Sequence, residues 1–323
     1  REGAAGRGAA VGGVATLTGV SLSGLDAGSS SAVSASFAAD AAYSSSSASG
    51  ALTVSKAAQS ITFDQPATPQ LINATFVVSP SSSSGLSVSV TAGGGCTISG
   101  GTVTMTSATV ACTLTASQAG NANYNAAENV LRIVSASALP TTFSNVSGTG
   151  SFGGTAQLSA TLASNGAGIA GRTISFTVSG VTVSGTTSNA GVATASLSLA
   201  GFDAGTQINA LAVAFVGDTA YAAANAIGNL TVTQASQAIT FPQPQTPQQI
   251  NSTFTLSPTA DSGLTVSVGA SGGCTIAGLT VTITNTTTCT LTASQPGDAN
   301  HLAASPVVRT VATTALPTGL SGV

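Results

Sequence analysis

Tryptophan is absent from these 323 residues, and histidine, methionine and lysine each occur once. Charged side chains make up 5% of the chain, against roughly 25% in an ordinary soluble domain. A formal net charge of −3 is too small to steer a charged ligand. No basic cluster is present to neutralise phosphates, which argues against a nucleic-acid partner. One histidine leaves no second imidazole to share proton work. Without a second histidine or a C-x-x-C pair there is no ligand set for zinc. No run of roughly 18 apolar residues exists to span a bilayer as a helix. No secretion signal is visible. The chain opens at Arg1 rather than methionine, so it reads as processed or as a stretch of something longer.

Ser, Thr, Ala, Gly and Val dominate what is left. Such a composition often marks disorder, but disorder requires too few apolar residues to build a core. A hydrophobic share of 42% argues for folded structure.

The sequence repeats itself. "AAQSITFDQPATPQLINATF" (57–76) returns as "ASQAITFPQPQTPQQINSTF" (235–254), and "CTLTASQAGNANY" (112–124) as "CTLTASQPGDANH" (289–301). "GVATLTGVSLSGLDAG" (13–28) matches "GVATASLSLAGFDAG" (191–205). The order is A-B-A-B. Expected modules are a partial A over 1–56, a B over 57–137, an A over 138–234 and a B over 235–314. Residues 315–323, "ALPTGLSGV", resemble "ALPTTFSNVSG" (138–148). They read as the start of a further A module or as a strand donated to a neighbouring chain. Residues 1–10 align with nothing.

Apolar residues alternate with small polar ones: Leu86, Val88, Val90; Ile174, Phe176, Val178; Leu211, Val213, Phe215; Leu264, Val266, Val268. This is the period of strands with one buried and one wet face. Turn residues recur every 8 to 12 residues or so, as in antiparallel sandwiches. No helical stripe is present. The expected class is all-β.

Each module carries one small turn, with "AADAAY" (38–43), "GNANY" (120–124), "VGDTAY" (216–221) and "GDANH" (297–301) as its copies. Asp40, Asn121, Asp218 and Asp298 can bond the backbone two residues on. Tyr43, Tyr124 and Tyr221 are expected to lay their rings on the core edge and return the hydroxyl to the backbone, as in a tyrosine corner. His301 fills the same slot in the last copy, which makes it a structural residue rather than a catalyst.

These features resemble the bacterial immunoglobulin-like repeats of large surface and secreted proteins. The A modules are similar to the invasin- and intimin-like group through "AGRTISFT" (170–177), "TSNAGVAT" (187–194) and "FVGDTAY" (215–221). The B modules are similar to a related repeat through "QSITF" (59–63), the paired cysteines and "SQAGNANY" (117–124). The resemblance implies sandwiches of about seven strands serving as spacer, stalk or adhesive rod. The sequence departs from it in having so few charges and in lacking the early strands of the first A.

Four cysteines fall as Cys96/Cys112 and Cys274/Cys289, one pair in each B module. Even number and matched placement argue for one disulfide per B module, and so for an exported, extracellular or cell-surface protein. The alternative is a pair of buried thiols in each. Serines abound, but none stands with a base in a nucleophile motif. "GTGSFGG" (148–154) lacks the helix and lysine of a phosphate loop and reads as the glycine-rich start of a strand. The single acidic residues Asp26, Asp203, Asp40, Asp218 and Asp298 form no dense carboxylate cluster for calcium. Lys56, alone at a linker, cannot supply a lysine–asparagine cross-link to every module. Arg132 and Arg309 hold equivalent places in the last strand of B, where a solvent-facing charge would discourage strand addition; the alternative is a contact with a partner. Asn73, Asn145, Asn229, Asn251 and Asn285 stand in N-x-S/T sequons, which a Ser/Thr-rich chain generates by chance.

The sequence therefore leads to a non-catalytic structural component of an extracellular fibre, sheath or surface rod, without cofactor. A second reading is the stalk of an adhesin whose tip lies elsewhere. A carbohydrate-binding accessory would display aromatic platforms, and only three tyrosines exist, all in corners. The expected partners are copies of the same chain, with cell surface or carbohydrate as alternatives.

Overall fold

The computed structural model describes residues 6–8 and 10–317. Among them there is no helix; regular structure is entirely strand. The chain divides into two bodies, one reaching to Leu139 and including Asp218–Ala220, the other comprising Pro140–Gly217 and the residues from Tyr221 on. Of the expected terminal segment, residues 318–323 lie outside the described residues, as does much of 1–10.

The second body contains the most complete sandwich. Thr155–Ser164 pairs antiparallel with both Thr142–Ser151 and Val192–Ser198. Opposite them, Gly205–Phe215 lies between Ala224–Thr233 and Thr173–Val178, and the latter pairs onward with Val181–Thr186. Alternation decides the inner faces. Ala156, Leu158, Ala160 and Leu162 of one layer meet Ile174, Phe176, Val178, Leu211, Val213, Phe215, Leu230 and Val232 of the other. Two facing antiparallel layers of this kind, closed by a parallel pairing of first and last strand, make an immunoglobulin-like sandwich.

The parallel pairing explains "GTGSFGG". The Thr142–Ser151 strand bonds Thr155–Ser164 on one side and Ala224–Thr233 on the other, so it bridges both layers. Where it does so there is no room for a side chain at Gly148 or Gly150. A Cβ on Gly148 would lie 2.6 Å from Leu158 Cδ2, and one on Gly150 would run into the Thr155 carbonyl oxygen. The glycines serve close approach of backbone. Gly153, at φ +68° in the hairpin turn that follows, serves a left-handed turn.

Each B segment has its own core. In the first, Phe63, Val78, Val103, Met105, Cys112, Leu114, Ala116 and Val134 are buried together. The last places Phe241, Leu256, Val266, Val281, Ile283, Cys289, Leu291 and Val311 in the matching cluster. One layer is Thr75–Val77, Thr102–Met105 and Cys96–Ser99; the other is Ser89–Gly94, Cys112–Ser117 and Val130–Val134. The last B repeats both layers.

The strand expectation needs one correction here. Of Leu86, Val88 and Val90 only Val90 lies in a strand, Ser89–Gly94, and of Leu264, Val266 and Val268 only Val268 does, in Ser267–Gly272. The preceding residues lie outside the ladder, yet Val88 packs on the core and Val266 is buried. Alternation reports which side of the chain is covered, and it does so whether or not the backbone is paired.

The first segment contains a hairpin, Gly28–Phe37 with Ser46–Val54, in the register of its counterpart: Val33↔Gly50 and Phe37↔Ser46 match Leu211↔Gly228 and Phe215↔Ala224. Both hairpins shift register at the same place. Their surroundings differ. Leu211 and Phe215 are 0% and 4% exposed beneath the early strands of their sandwich, whereas Val33 and Phe37 are 46% and 45% exposed. The described first segment has no counterpart of those early strands.

Candidate functional site

The chemistry-bearing residues fall into three groups: disulfides, corner turns, and contacts that tie the ends of each module. Cys96 is bonded to Cys112 and Cys274 to Cys289, with Cα separations of 5.1 and 5.3 Å. In each case one cysteine opens an outer strand of one layer and the other opens the central strand of the opposite layer. The bond is therefore a staple between layers, not only a closed loop. The sequence separations of 16 and 15 residues correspond to about 3 kcal/mol of stabilisation in the chain-entropy model.

In the corner turns the fixing atom is the Asp or Asn oxygen. Asn121 Oδ1 accepts from the backbone N–H of Asn123 at 2.8 Å and of Tyr124 at 2.9 Å. Asp40 Oδ1 accepts likewise from Ala42 and Tyr43, both at 2.8 Å. Asp218 Oδ1 accepts from Ala220 at 2.8 Å. Asp298 Oδ1 accepts from Asn300 at 2.8 Å and His301 at 2.7 Å, and also lies 2.9 Å from His301 Nδ1. These donors hold the Asp298 carboxyl below its ordinary value, the Asn300 backbone N–H chiefly and the His301 ring next.

The rings are not equivalent. Tyr221 packs on the sandwich core with the Arg172 guanidinium carbon 5.2 Å from its ring centroid. Tyr124 is half-buried. His301 stands edge-on to Phe152, centroids 5.2 Å apart. Tyr43 is 71% exposed, against the expectation of a ring on the core edge. Among the described residues its hairpin has no opposing layer for the ring to rest on, and the turn forms without the packing.

Arg132 and Arg309 depart from expectation too. They are not free edge charges. Arg132 Nε donates to the Phe63 carbonyl oxygen at 2.8 Å and its guanidinium carbon lies 6.0 Å from the Phe63 ring centroid. Arg309 Nε donates to the Phe241 carbonyl oxygen at 2.9 Å. From the other side Gln65 Nε2 donates to Ile133 O, and Gln243 Nε2 to Thr310 O, both at 2.9 Å. The first stretch of each B segment is thus tied to its last strand by side chains where backbone pairing is missing. Nearby, Gln59 Nε2 donates to Gln118 Oε1 and Asn125 O, and Gln237 Nε2 to Gln295 Oε1 and Leu302 O.

The third corner position was not legible as a site. Asn123 Oδ1 accepts from Ala27 N at 2.8 Å and its Nδ2 donates to Asp26 Oδ1 at 2.9 Å. Asn300 repeats this with Ala204 N at 2.8 Å and Asp203 Oδ1 at 3.0 Å. The signal was there: both B corners have Asn at this place, and both A corners have Ala42 or Ala220.

No group of three or more His, Cys, Asp or Glu residues that could hold a metal occurs among the described residues. A shallow groove of about 390 Å³ on the outer face of the large sandwich is lined by Thr177, Ala212, Val213, Ala214, Asn225, Ala226 and Ile227. None of these can titrate or act as a ligand-activating base. No helix among the described residues is long and apolar enough to cross a membrane.

No family model matches the chain, and no curated protein matches it. Solved structures similar to it are tandem sandwich arrays. Sidekick-1 immunoglobulin domains 1–5 are 10% identical, with 84% of this chain and 63% of that one covered at a TM-score of 0.30. A solved chain from a study of a 1.5-MDa bacterial ice-binding adhesin is 14% identical, with 81% of this chain and 100% of that solved chain covered, TM-score 0.29. The D00-D0 domain of intimin is 19% identical over 54% of this chain and 99% of that one, TM-score 0.21. The fold assignment rests on the strand pairing described above.

Proposed function

We propose that this chain is a non-catalytic, exported structural component, a string of immunoglobulin-like modules with boundaries at 56/57, 137/138, 234/235 and 314/315 that sets distance and carries tension. One observation carries the reading: in each of the three segments with a core of its own, an early strand runs parallel to the last one. Thr142–Ser151 runs alongside Ala224–Thr233, Gln70–Leu71 alongside Ala136–Ser137, and Gln248–Gln249 alongside Thr313–Thr314. A parallel pair puts the start of one strand and the end of the other at opposite ends of the sandwich. Each module therefore lengthens the chain instead of folding it back. The inter-layer disulfides fit an oxidising, extracellular setting.

A fibre or sheath built from copies of this chain is the finer reading. A hydroxyl-rich surface with 5% charge has little self-repulsion, and lateral packing of such surfaces does not depend on ion pairs. Negative-stain microscopy of the purified chain should show beaded rods that associate side by side and stay associated through a salt titration. Globular particles would contradict the module string. Rods that never associate would transfer the reading to the stalk of an adhesin.

A further inference from the structure

The two A-to-B joints are built alike, each within one body, and the likeness extends to single atoms. We propose that the Asn at the third corner position of a B module reads the Asp-Ala-Gly turn of the A module before it, fixing the joint and permitting an A module, rather than a B module, to precede. This rests on the modular reading above.

The recognised element is a turn of fixed shape. Asp26-Ala27-Gly28 and Asp203-Ala204-Gly205 each end on a glycine at φ +141° and +139°, a conformation closed to side chains. It presents one backbone N–H and one carboxylate side by side. A carboxamide answers both at neutral pH, because it carries an acceptor and a donor on one rigid plane. Asn123 and Asn300 do so at 2.8 to 3.0 Å, across 96 and 97 residues of sequence. An aspartate there would set two carboxylates together; the alanine of the A corners would answer neither group.

The reading residue is itself held. Asn123 O accepts from Ala57 N at 2.8 Å, and Asn300 O from Ala235 N at 2.9 Å, where the linker crosses the corner. Ala57 bridges Tyr124, and Ala235 bridges His301. The linker side chain then closes the turn: Lys56 Nζ donates to Asn121 O at 2.9 Å, and Gln234 Nε2 to Asp298 O at 2.7 Å. Two different residues, a lysine and a glutamine, perform one task, donation into the corner carbonyls. In the second body the edge contact of Phe152 with His301 adds an apolar buttress.

The test uses the full disulfide-bonded chain. Non-cysteine spin labels at exposed Val181 and Val308 report the distance distribution between the large sandwich and the last B segment. The unaltered protein should give one narrow peak. Asn300→Ala, which writes the A-type residue into the B corner, and Asn300→Asp should both lose it. Asn300→Asp should regain it in acid, where one carboxyl is protonated and can donate again. Thermal melts separate joint from fold, since the corner's own bonds use backbone N–H groups and survive the substitutions. A narrow peak retained in Asn300→Ala with an unchanged melt overturns the proposal. Broadened joints in molecules that still image as beaded strings leave the module reading standing, and a narrow wild-type peak in globular particles leaves the joint standing without it.

Discussion

Asp298 Oδ1 receives three donors from Asn300 and His301, and its charge has a visible consequence. Its folded carboxyl lies below the ordinary value because Asn300 N–H, first, and the His301 ring, second, donate to the ionised form. A carboxylate depressed in the folded state stabilises fully above its unfolded value, near about 3.9. That contribution is lost as pH falls through the lower folded value. Asp298→Asn keeps an acceptor, as Asn121 does in the other B corner, but removes the charge. Thermal melts between about pH 6 and 2 should show a smaller acid loss in this variant than in the unaltered protein; equal losses would deny Asp298 that role. Arg132→Leu removes a charged donor from the Phe63 carbonyl. It should cost about 1–2 kcal/mol in denaturant unfolding, the lower part of the range for bonds to charged groups because the site is only half-buried. A neutral result would return Arg132 to the role of an edge charge.

The corner was legible because it recurs four times with its Asp or Asn in place. What its ring does was not, because that depends on whether an opposing layer exists. Tyr221 has one, and Tyr43 has none among the described residues. The arginine clamp escaped for another reason: a charge in an edge strand has two uses, and only the position of Phe63 across the module distinguishes them.

At the scale of elements, alternation gave the buried faces correctly and the strand limits less well. Leu86 and Leu264 keep the period without belonging to the ladder. The glycines of residues 148–154 were placed as strand, but their reason, one strand serving two layers, needs the topology. Gly150→Ala tests that reason. The added methyl meets backbone that cannot swing aside, so the large sandwich should lose about 1–3 kcal/mol, the usual cost of overpacking. The same change at Gly153, where nothing lies within 4 Å but φ is +68°, should cost about 1 kcal/mol or somewhat more through strain alone. Equal effects at both positions would remove the close-approach argument. For the staples, Cys274→Ala with Cys289→Ala should cost about 3 kcal/mol in the last B segment and leave the large sandwich, which holds no cysteine, melting where it did.

On the scale of the whole molecule, the described residues form three separate cores, each in a segment where an early strand runs parallel to the last one, and the proposed mechanical role rests on that arrangement. Pulling on such a module shears the bonds of its parallel pair together instead of opening them one at a time. The measurement that addresses this most directly is single-molecule extension of the full chain, pulled from its ends with and without reductant. The account predicts three cooperative unfolding events. Two of them should lengthen by about 50 Å on reduction, the reach of some 16 freed residues, and one, the cysteine-free sandwich, should not change. A single featureless extension, or events indifferent to reductant, would contradict it.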